Sequence, residues 1–448
     1  MSIYREYDIR GIYGKDLDEE IMKSIGKAIA VFVRKNDWVD TVVVGNDIRT
    51  SSLSLSGVLI KGLTSSGINV IDVGTSSFGT CLFSGFKLKS AITLYITASH
   101  LPPEWNGLKI YTGEGIPIPP AIIKKIMDDK EPAKAEYEGS VEIADLKKEY
   151  VDFLKSKFKI NKKLKIVLDC GNGSTSLAAP DIFEGLGFEV TKLFCDVDPS
   201  FPNRPSDPTP NNIKKLVETI KDGDYDFGVA FDGDGDRAAV VDGKGRILTG
   251  NELGTLIGKN VLHSEKGNVV ITVACSMSLE RELKKLGGEV IKVPVGHTFV
   301  ISKCKDADSL LGVEESGHMV LPEYFAFDDA VLIPLKIADI ISKSGKSLSE
   351  HYDSLTIYPF EEIVFACPDD EKFTVVKNLL AEFREIYDKI TDMDGVRLDF
   401  EDGWILIRAS NTSPKIRLYV EATTQERLEE LKKTFSETLK DEIMKVSP

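Results

Sequence analysis

The sequence has little cysteine, and its six cysteines stand far apart along the chain: Cys81, Cys170, Cys195, Cys275, Cys304 and Cys367. No two of them form a CxxC pair, so the sequence gives no support for a zinc site or a dithiol redox motif. Most lie in apolar runs, as buried thiols in a reducing cytoplasm do. We therefore expect a cytoplasmic protein without structural disulfides.

Long apolar runs and an excess of basic residues are also absent. No run approaches the roughly 20 residues that span a bilayer, and the first residues, MSIYREYDIRGIYG, lack the apolar stretch of a secretory leader. Lys and Arg number 56 against 71 Asp and Glu, which gives a net charge of −15. This acidity opposes binding to nucleic acid, although a small anion needs only local positive charge. We expect neither a membrane nor a nucleic-acid partner.

The 448 residues are 42% hydrophobic and 28% charged, which is typical of a globular protein with about three or four domains. Three segments echo one another, each passing from an apolar strand through a turn of small residues into a helical pattern: VVVGNDIRTSS (42–52), IVLDCGNGSTS (166–176) and VITVACSMS (270–278). They lie about 100 residues apart, which is a domain spacing. The repeat predicts three α/β domains of related topology with mainly parallel sheets.

From about residue 355 the pattern changes. Strand patterns at EEIVFACP, VRLDF, GWILIRAS and KIRLYVEA are combined with a helix predicted over 371–391 and a long terminal helix. The later strands follow one another through short turns, which predicts an α+β fourth domain. We place the domains at residues 1–145, 146–250, 251–355 and 356–448.

The most specific local motif is AFDGDGDRAAV (230–240), in which Asp232, Asp234 and Asp236 alternate with glycines after an apolar strand. In extended chain this spacing puts all three carboxylates on one side. Such a group repels itself unless a cation lies between the oxygens, and hard oxygen ligands favour Mg²⁺ or Ca²⁺ over zinc. The motif predicts a metal site, with Arg237 beside it to hold a phosphate. A solvated acidic turn and a calcium loop are the alternatives, although the spaced glutamate of an EF-hand is missing.

A second motif, YITASHLPPEWNGLKIY (95–111), places Ser99 and His100 where a strand gives way to a loop with two prolines. We expect the serine to be exposed there, where a nearby metal ion or base would activate it as a nucleophile or phosphate carrier. Lys109 follows on a strand pattern. A Ser-His pair on its own is more often a plain surface loop.

Two shorter segments contain further candidates. In GVEESGH (312–318), Glu314 and Ser316 share one face if the chain is extended, and a carboxylate beside a hydroxyl suits recognition of sugar hydroxyls. His297, in PVGHTF, is a lone histidine after a glycine, which is more often structural. Taken alone, both segments are also compatible with simple loops.

The fourth motif is IRASNTSPKIRLYVEA. Arg408, Ser410, Asn411 and Thr412 precede a turn, and Arg417 lies on the returning strand. Hydroxyl, amide and backbone donors together with an arginine form a phosphate cradle. It is not a Walker loop, because the spaced Gly-Lys-Ser/Thr is absent. A polar hairpin is the alternative.

In this order and spacing, the four motifs resemble the α-D-phosphohexomutase superfamily, in particular its phosphomannomutase/phosphoglucomutase branch. The likeness runs the length of the chain and includes YDIRG (7–11) and FPNRPSDPTPNN (201–212). The resemblance implies three related α/β domains and a C-terminal α+β domain around a central cleft. It also implies that a phosphoryl group moves between O1 and O6 of a hexose through a phosphoserine and a hexose 1,6-bisphosphate.

The resemblance implies roles for the candidate residues as well. Ser99 would be the phosphoserine, held together with one Mg²⁺ by the three aspartates, while Glu314 and Ser316 would hold sugar hydroxyls. The donors and arginines of the fourth motif would grip the phosphate that is not transferred. Lys109 and His297 would be acid/base candidates, and they line the active site with three further residues: Arg10, His100 and Arg237.

The sequence differs from the family pattern at three places, of which the last bears on substrate choice. TASHLPP stands where many relatives have TASHNP, and Ala274 stands where some bacterial members have a lysine. The loop of the fourth motif has SNT, where many phosphoglucosamine mutases have SGTEP, which makes glucosamine phosphate a less favoured substrate. The alternatives are a phosphoglucosamine mutase, a metal-dependent sugar phosphatase, and a sugar-phosphate-binding protein without activity. The sequence leaves the preferred hexose and the oligomeric state open.

Overall fold

The structure is a computed structural model that describes residues 2–130, 135–410 and 414–446. Its strands form four sheets that follow one another along the chain. Within these residues no helix combines the length and the apolar character needed to cross a bilayer.

The first sheet has six strands: β1 Ile9–Ile12, β2 Thr41–Asn46, β3 Asn69–Thr75, β4 Ile92–Ile96, β5 Trp105–Thr112 and β6 Val141–Ile143. Their order is β1-β5-β4-β2-β3-β6, and β5 runs antiparallel to both of its neighbours. Four helices accompany it: α1 Glu19–Lys35, α2 Ser52–Thr64, α3 Phe78–Leu88 and α4 Pro120–Asp128. The apolar residues of β2 and β4 are buried because helices cover both faces, which is usual for a mainly parallel sheet.

The second sheet has five strands: β7 Lys165–Asp169, β8 Glu189–Leu193, β9 Phe227–Phe231, β10 Ala238–Asp242 and β11 Ile247–Leu248. Their order is β11-β10-β9-β7-β8. Three α-helices belong to this part of the chain: α5 Lys147–Lys157, α6 Ala179–Gly185 and α7 Lys214–Lys221. A short 3₁₀ turn, Ser174–Leu177, follows β7.

The third sheet has four strands: β12 Asn268–Thr272, β13 Glu289–Val293, β14 Leu311–Val313 and β15 Met319–Val320. Their order is β13-β12-β14-β15. Five helices belong to this part of the chain: α8 Gly250–Ser264, α9 Met277–Lys285, α10 His297–Asp306, α11 Leu332–Ser344 and α12 Leu348–Asp353.

These three sheets share one topology, which confirms the prediction made from the sequence echo. The echoed strands β2, β7 and β12 each lie between the next two strands of their domain and run parallel to both. Each domain then continues into an antiparallel hairpin, β4–β5, β9–β10 or β14–β15. The connections within these hairpins are equivalent, and they contain the three motifs with Ser99, Asp232 and Glu314.

The fourth sheet is antiparallel throughout, as an α+β domain predicts. Its strands are β16 Phe360–Ala366, β17 Ile390–Thr391, β18 Val396–Asp399, β19 Gly403–Ala409 and β20 Lys415–Ala422, in the order β16-β20-β19-β18-β17. Helices α13 Lys372–Arg384 and α14 Gln425–Val446 cover one face. The helix predicted over 371–391 was too long, because the β-branched pair Ile390 and Thr391 instead pairs with β18 at the sheet edge.

The fourth domain packs on the third through a small apolar cluster. Trp404 and Tyr419 contact Val273, Ala274 and Met277 there. Ala274, the position at which some relatives have a lysine, is therefore buried in this interface and offers no charge to a ligand.

Candidate active site

The three equivalent hairpin connections meet at one cleft. Ser99 of the first domain donates a hydrogen bond to Asp232 of the second, with 2.8 Å between Oγ and Oδ2. Asp236 Oδ1 lies 4.0 Å from Nδ1 of His318, which belongs to the third. The cleft has a volume of about 440 Å³, which suits a sugar phosphate. Its walls come from the N-terminal segment, these connections and the start of α10: Arg5, Glu6, Tyr7, Asp8, Arg10, Ser99, His100, Leu101, Trp105, Asp236, Arg237, Gly296, His297, Glu314, Ser316 and His318.

Ser99 is held in a strained and largely enclosed position. Its φ angle is 49°, its backbone N–H donates to Thr97 Oγ1 at 2.8 Å, and its Oγ lies 3.2 Å from His100 Nδ1. The expectation of an exposed serine was wrong, because only 2% of the residue is accessible between the facing loops. A non-glycine residue kept at positive φ is a sign of a functional constraint.

Arg49, which sequence reasoning missed, fixes the loop that contains Ser99. Its guanidinium donates to the carbonyl oxygens of Ser99 at 2.8 Å, Leu101 at 2.6 Å and Pro102 at 2.6 Å. Asp47 accepts a hydrogen bond from Arg49 Nε at 3.0 Å. The signal was present in the first echoed segment, where NDIR follows β2 directly.

The three aspartates converge, but for a different reason from the one predicted. Strand β9 ends before them, so the chain turns rather than alternating: Asp232 Oδ1 accepts from the backbone N–H groups of Gly235, Asp236 and Arg237 at 2.9, 3.1 and 3.2 Å. Gly235 has a φ of 90°, a conformation that glycine adopts without strain. This turn brings one carboxylate oxygen of each aspartate within 4.8 Å of the others.

The aspartate cluster fits a magnesium ion. Asp234 Oδ1 and Asp236 Oδ1 are buried and make no hydrogen bond within the described part of the chain. Burial, reinforced by the charges of Asp236 and Asp234, raises the pKa of Asp232 well above its usual range. Unpaired carboxylate oxygens in so small a space require a cation, and an all-oxygen donor set is the one that Mg²⁺ prefers.

Lys109 supplies part of the missing positive charge. From β5, its ammonium group donates to Asp234 Oδ2 at 2.9 Å and forms a second close ion pair with Asp236 Oδ2. Burial alone would lower the pKa of Lys109, but these two carboxylates outweigh burial and raise it well above its ordinary value. The side chain is therefore a permanent cation.

Two stacked histidines share one carboxylate beside the aspartate loop, and one ligand atom from each of His297, His318, Asp328 and Asp236 lies within 4.8 Å of the others. His297 Nδ1 and His318 Nδ1 lie 2.8 and 2.7 Å from Asp328 Oδ2, and the ring centroids are 4.5 Å apart. Burial would lower the pKa of His297, but Asp328 outweighs burial and raises it. Sequence reasoning found His297 and missed the other two. His318 was visible at the end of GVEESGH, but its partner lies ten residues further on in a different loop.

Glu314 and Ser316 come together as predicted, although on a turn rather than on extended chain. Strand β14 ends at Val313, and Ser316 Oγ donates to Glu314 Oε1 at 2.9 Å. Glu314 is buried, whereas Ser316 is exposed in the cleft. Tyr7, another wall residue that was missed, donates from its hydroxyl to the Val295 carbonyl at 2.6 Å.

Two arginines bring positive charge to the cleft wall. Arg10 lies on β1 and pairs with Asp8 at 2.6 Å, and Arg237 Nε lies 3.5 Å from Asp232. Nε and Nη2 of Arg237 make no hydrogen bond to any described residue. Burial, followed by the charges of both arginines, lowers the pKa of His100 well below its usual value, so this ring is neutral.

The fourth motif lies apart from these walls. Arg408 pairs with Asp394 at 3.0 Å, and Arg417 forms a close ion pair with Glu362 on β16. Ser410 donates its backbone N–H to the Lys415 carbonyl at 2.9 Å across the hairpin. The predicted residues Asn411 and Thr412 lie outside the described residues. Among the described ones, Arg408, Ser410 and Arg417 are not part of the cleft lining.

The buried carboxyl group of Glu315, beside the cleft, should make the stability of the protein depend on pH. Its Oε2 is buried without a hydrogen-bond partner among the described residues, and burial, then the charge of Glu314, raises its pKa to about 7. The folded protein therefore binds a proton that the unfolded chain has released, and stability falls as pH rises from about 4.5 to 7. Glu315→Gln should stabilise the protein at pH 8 by about 1–3 kcal/mol and change little at pH 4.5.

Urea unfolding of this variant and the wild type at both pH values measures the difference. Exposed Glu138→Gln is the matched control and should leave both midpoints unchanged. If Glu315→Gln raised the free energy of unfolding equally at pH 4.5 and pH 8, the buried charge would be contradicted.

Four profiles of one family match the chain in order. They are phosphoglucomutase/phosphomannomutase alpha/beta/alpha domain I over residues 1–136, domain II over 148–245, domain III over 249–358 and the C-terminal domain over 362–438.

Similar proteins agree with these profiles. The phosphomannomutase/phosphoglucomutase of Pseudomonas aeruginosa is 35% identical over 448 residues, covering 98% of this chain and 96% of the relative. A probable phosphoglucosamine mutase of Methanopyrus kandleri is 33% identical over 437 residues, covering 95% of each. The crystal structure of a phosphoglucomutase/phosphomannomutase family protein from Burkholderia thailandensis matches with a TM-score of 0.90 and 30% identity, covering 98% of this chain and 97% of that one. The chain therefore belongs to the phosphoglucomutase/phosphomannomutase family.

Proposed function

We propose that this phosphohexose mutase interconverts the 1- and 6-phosphates of mannose and glucose, with Ser99 as the phosphoryl carrier. The observation that carries the proposal is the 2.8 Å contact between Ser99 Oγ and Asp232 Oδ2 at the wall of the cleft. The oxygen thus lies between a cluster of metal-type carboxylates and a space that accommodates a sugar phosphate.

The proposed reaction has two phosphoryl transfers. Phosphorylated Ser99 gives its phosphoryl group to the free hydroxyl of the bound sugar monophosphate, which forms a hexose 1,6-bisphosphate. This molecule turns over and returns its other phosphoryl group to Ser99. The bisphosphate is also an activator, because its early release leaves Ser99 without a phosphate until it binds again.

Asp232, Asp234 and Asp236 would hold one Mg²⁺ together with the oxygen on Ser99. When bound, the ion would neutralise charge on the transferring phosphoryl group. A structure of N-acetylphosphoglucosamine mutase from Aspergillus fumigatus, which shares this fold with a TM-score of 0.63, is a complex with GlcNAc-6P and magnesium.

The cations and histidines around the cleft take distinct roles in this proposal. Lys109 serves as a fixed positive charge rather than as an acid/base group, because its ion pairs keep it protonated. His297 and His318 hold or move the proton of the sugar hydroxyl, since Asp328 engages Nδ1 of each ring and leaves Nε2 to the cleft. Two arginines and a neutral histidine, Arg10, Arg237 and His100, surround the phosphoryl group.

The phosphate that is not transferred is assigned to the fourth motif, as the resemblance implies. Arg408 supports this assignment because its charge is close enough to oppose the rise that burial causes in the pKa of Tyr7 and of Glu6, which line the cleft. Ser410 and Arg417 lie on the same hairpin as Asn411 and Thr412.

The sugar ring is assigned to Glu314 and Ser316, at hydroxyls that glucose and mannose share. Glu314→Gln should therefore lower kcat/KM for glucose 1-phosphate and mannose 1-phosphate by the same factor, about 10- to 100-fold for one lost charged contact. Steady-state kinetics on both sugars measures this, with exposed Glu265→Gln as the control. A loss of kcat/KM confined to one sugar would show that Glu314 contacts the substituent at carbon 2, where glucose and mannose differ.

Product analysis tests the function itself. Incubation with glucose 1-phosphate, mannose 1-phosphate and glucosamine 1-phosphate should yield the 6-phosphates of glucose and mannose, with less turnover of glucosamine and no release of inorganic phosphate. Free phosphate without isomer would establish the phosphatase alternative, and neither product would establish a binding protein. The domain bounds 1–145, 146–250, 251–355 and 356–448 and the cytoplasmic location stay predictions.

A further inference from the structure

Two cysteines outside the four site motifs face each other in the second domain. Cys170 and Cys195 are 25 residues apart in sequence and follow the neighbouring parallel strands β7 and β8, and their sulfur atoms are 3.2 Å apart without a bond. All six cysteines are free thiols. This distance is short enough for side-chain rotations and a small backbone shift to close a disulfide of about 2.05 Å.

The two thiols differ in access and in acidity. Cys170 is fully buried, and burial raises the pKa of its thiol well above its usual range. Cys195 is partly exposed, and its hydrogen bond with Cys170 lowers the pKa of its thiol. An outer thiol of lowered pKa next to an inner thiol is the arrangement in which the outer one reacts first with an oxidant and the inner one resolves the product.

The turn that follows Cys170 is attached to the aspartate loop. Ser174 donates its backbone N–H to the Gly233 carbonyl and its hydroxyl to the Asp234 carbonyl, both at 3.0 Å. A Cβ atom at Gly173 would lie 2.7 Å from the Gly233 carbonyl oxygen, so the two segments are already in close contact.

A second link runs through Asp169, the residue before Cys170. Asp169 pairs with Arg204 at 3.0 Å, and Arg204 in turn donates to the Phe231 carbonyl at 2.7 Å, immediately before the aspartates. The turn between the two links is tight, with Gly171 and Asn172 both at positive φ. A displacement of Cys170 therefore reaches the aspartate loop from both sides.

We infer that Cys170 and Cys195 form a reversible disulfide that weakens magnesium binding by the aspartate loop. The inference rests on the proposed function, since it concerns regulation of the same metal site.

The oxidant is a low-molecular-weight disulfide of the glutathione type. Cys195 thiolate attacks one of its sulfurs and expels a thiolate; Cys170 then loses its proton and attacks the sulfur of Cys195, which releases a second thiol. The protein loses two thiols, and the small disulfide is reduced to two.

Titration of the purified protein with oxidised glutathione tests the inference. Peptide mapping without reduction should find residues 170 and 195 cross-linked, and dithiothreitol should reverse the link. Calorimetric Mg²⁺ binding should give a Kd at least about fivefold higher for the oxidised protein than for the reduced protein. Cys195→Ala should abolish both effects, whereas Cys304→Ala, which removes a buried thiol elsewhere, should preserve them.

Each other result has one meaning. Absence of the cross-link overturns the inference, and so does a cross-link that leaves the Kd for Mg²⁺ unchanged. Because the wild-type cross-link is measured by mass, this decision does not depend on how well either variant folds. If the reduced wild type binds no Mg²⁺, the metal site of the proposed function is contradicted, and so is the effect of the disulfide on metal binding. The peptide map would still decide whether the disulfide forms.

Discussion

Ser99→Ala should lower mutase turnover about a thousandfold or more, because the variant has no oxygen to carry the phosphoryl group between the two transfers. The neighbouring groups cannot substitute, since His100 and Asp232 only contact the hydroxyl at 3.2 and 2.8 Å. Conversion of glucose 1-phosphate to glucose 6-phosphate measures the loss. Phosphopeptide mapping of the active wild type should place a single phosphate on Ser99.

Ser54→Ala is the matched control, because this exposed serine lies on α2 in the same domain. It should retain full activity and leave the phosphate on Ser99. Normal turnover in Ser99→Ala, or phosphate found only on another residue, would refute the carrier assignment.

Asp234→Ala should lower turnover about a hundredfold or more, if the metal supplies about 3 kcal/mol to the transition state. The substitution removes one of the three aspartates proposed to hold the ion and leaves Lys109 paired with Asp236 alone. Calorimetry should show weakened Mg²⁺ binding, which separates a loss of metal from a loss of substrate binding.

Exposed Asp224→Ala, in the same domain, should change neither activity nor Mg²⁺ binding. Treatment of the wild type with EDTA should reproduce the loss seen in Asp234→Ala, and added Mg²⁺ should reverse it. Unchanged activity after metal removal would refute a metal requirement.

The sequence was sufficient where a local pattern repeats. The echoed segments predicted three related domains, and the structure shows β2, β7 and β12 in equivalent positions. Asp232 and Asp236 were correctly grouped, but by the wrong geometry, since a backbone turn around Asp232 rather than strand alternation draws the carboxylates together. Helix periodicity likewise extended α13 into Ile390, because a sheet partner is invisible to a local pattern.

The sequence was insufficient where a residue takes its meaning from a distant partner. His318 could be interpreted only once Asp328 was placed between it and His297. The position of Arg49 after β2 was visible in the sequence, but its hydrogen bonds to carbonyl groups 50 or more residues away were not. The ion pairs of Lys109 likewise depend on a loop from another domain, and they favour a role as a fixed charge over the proton transfer that the sequence suggested.

The ion pairs of Lys109 have a consequence for how the protein is made. Three buried carboxylates would normally leave a newly synthesised chain dependent on its metal before that loop could form. Here Lys109, from another domain, and Arg237 face the loop with positive charge, so we expect the chain to fold when Mg²⁺ is scarce. We therefore expect folding and metal loading to be separate events, with the proposed ion entering a site that already exists.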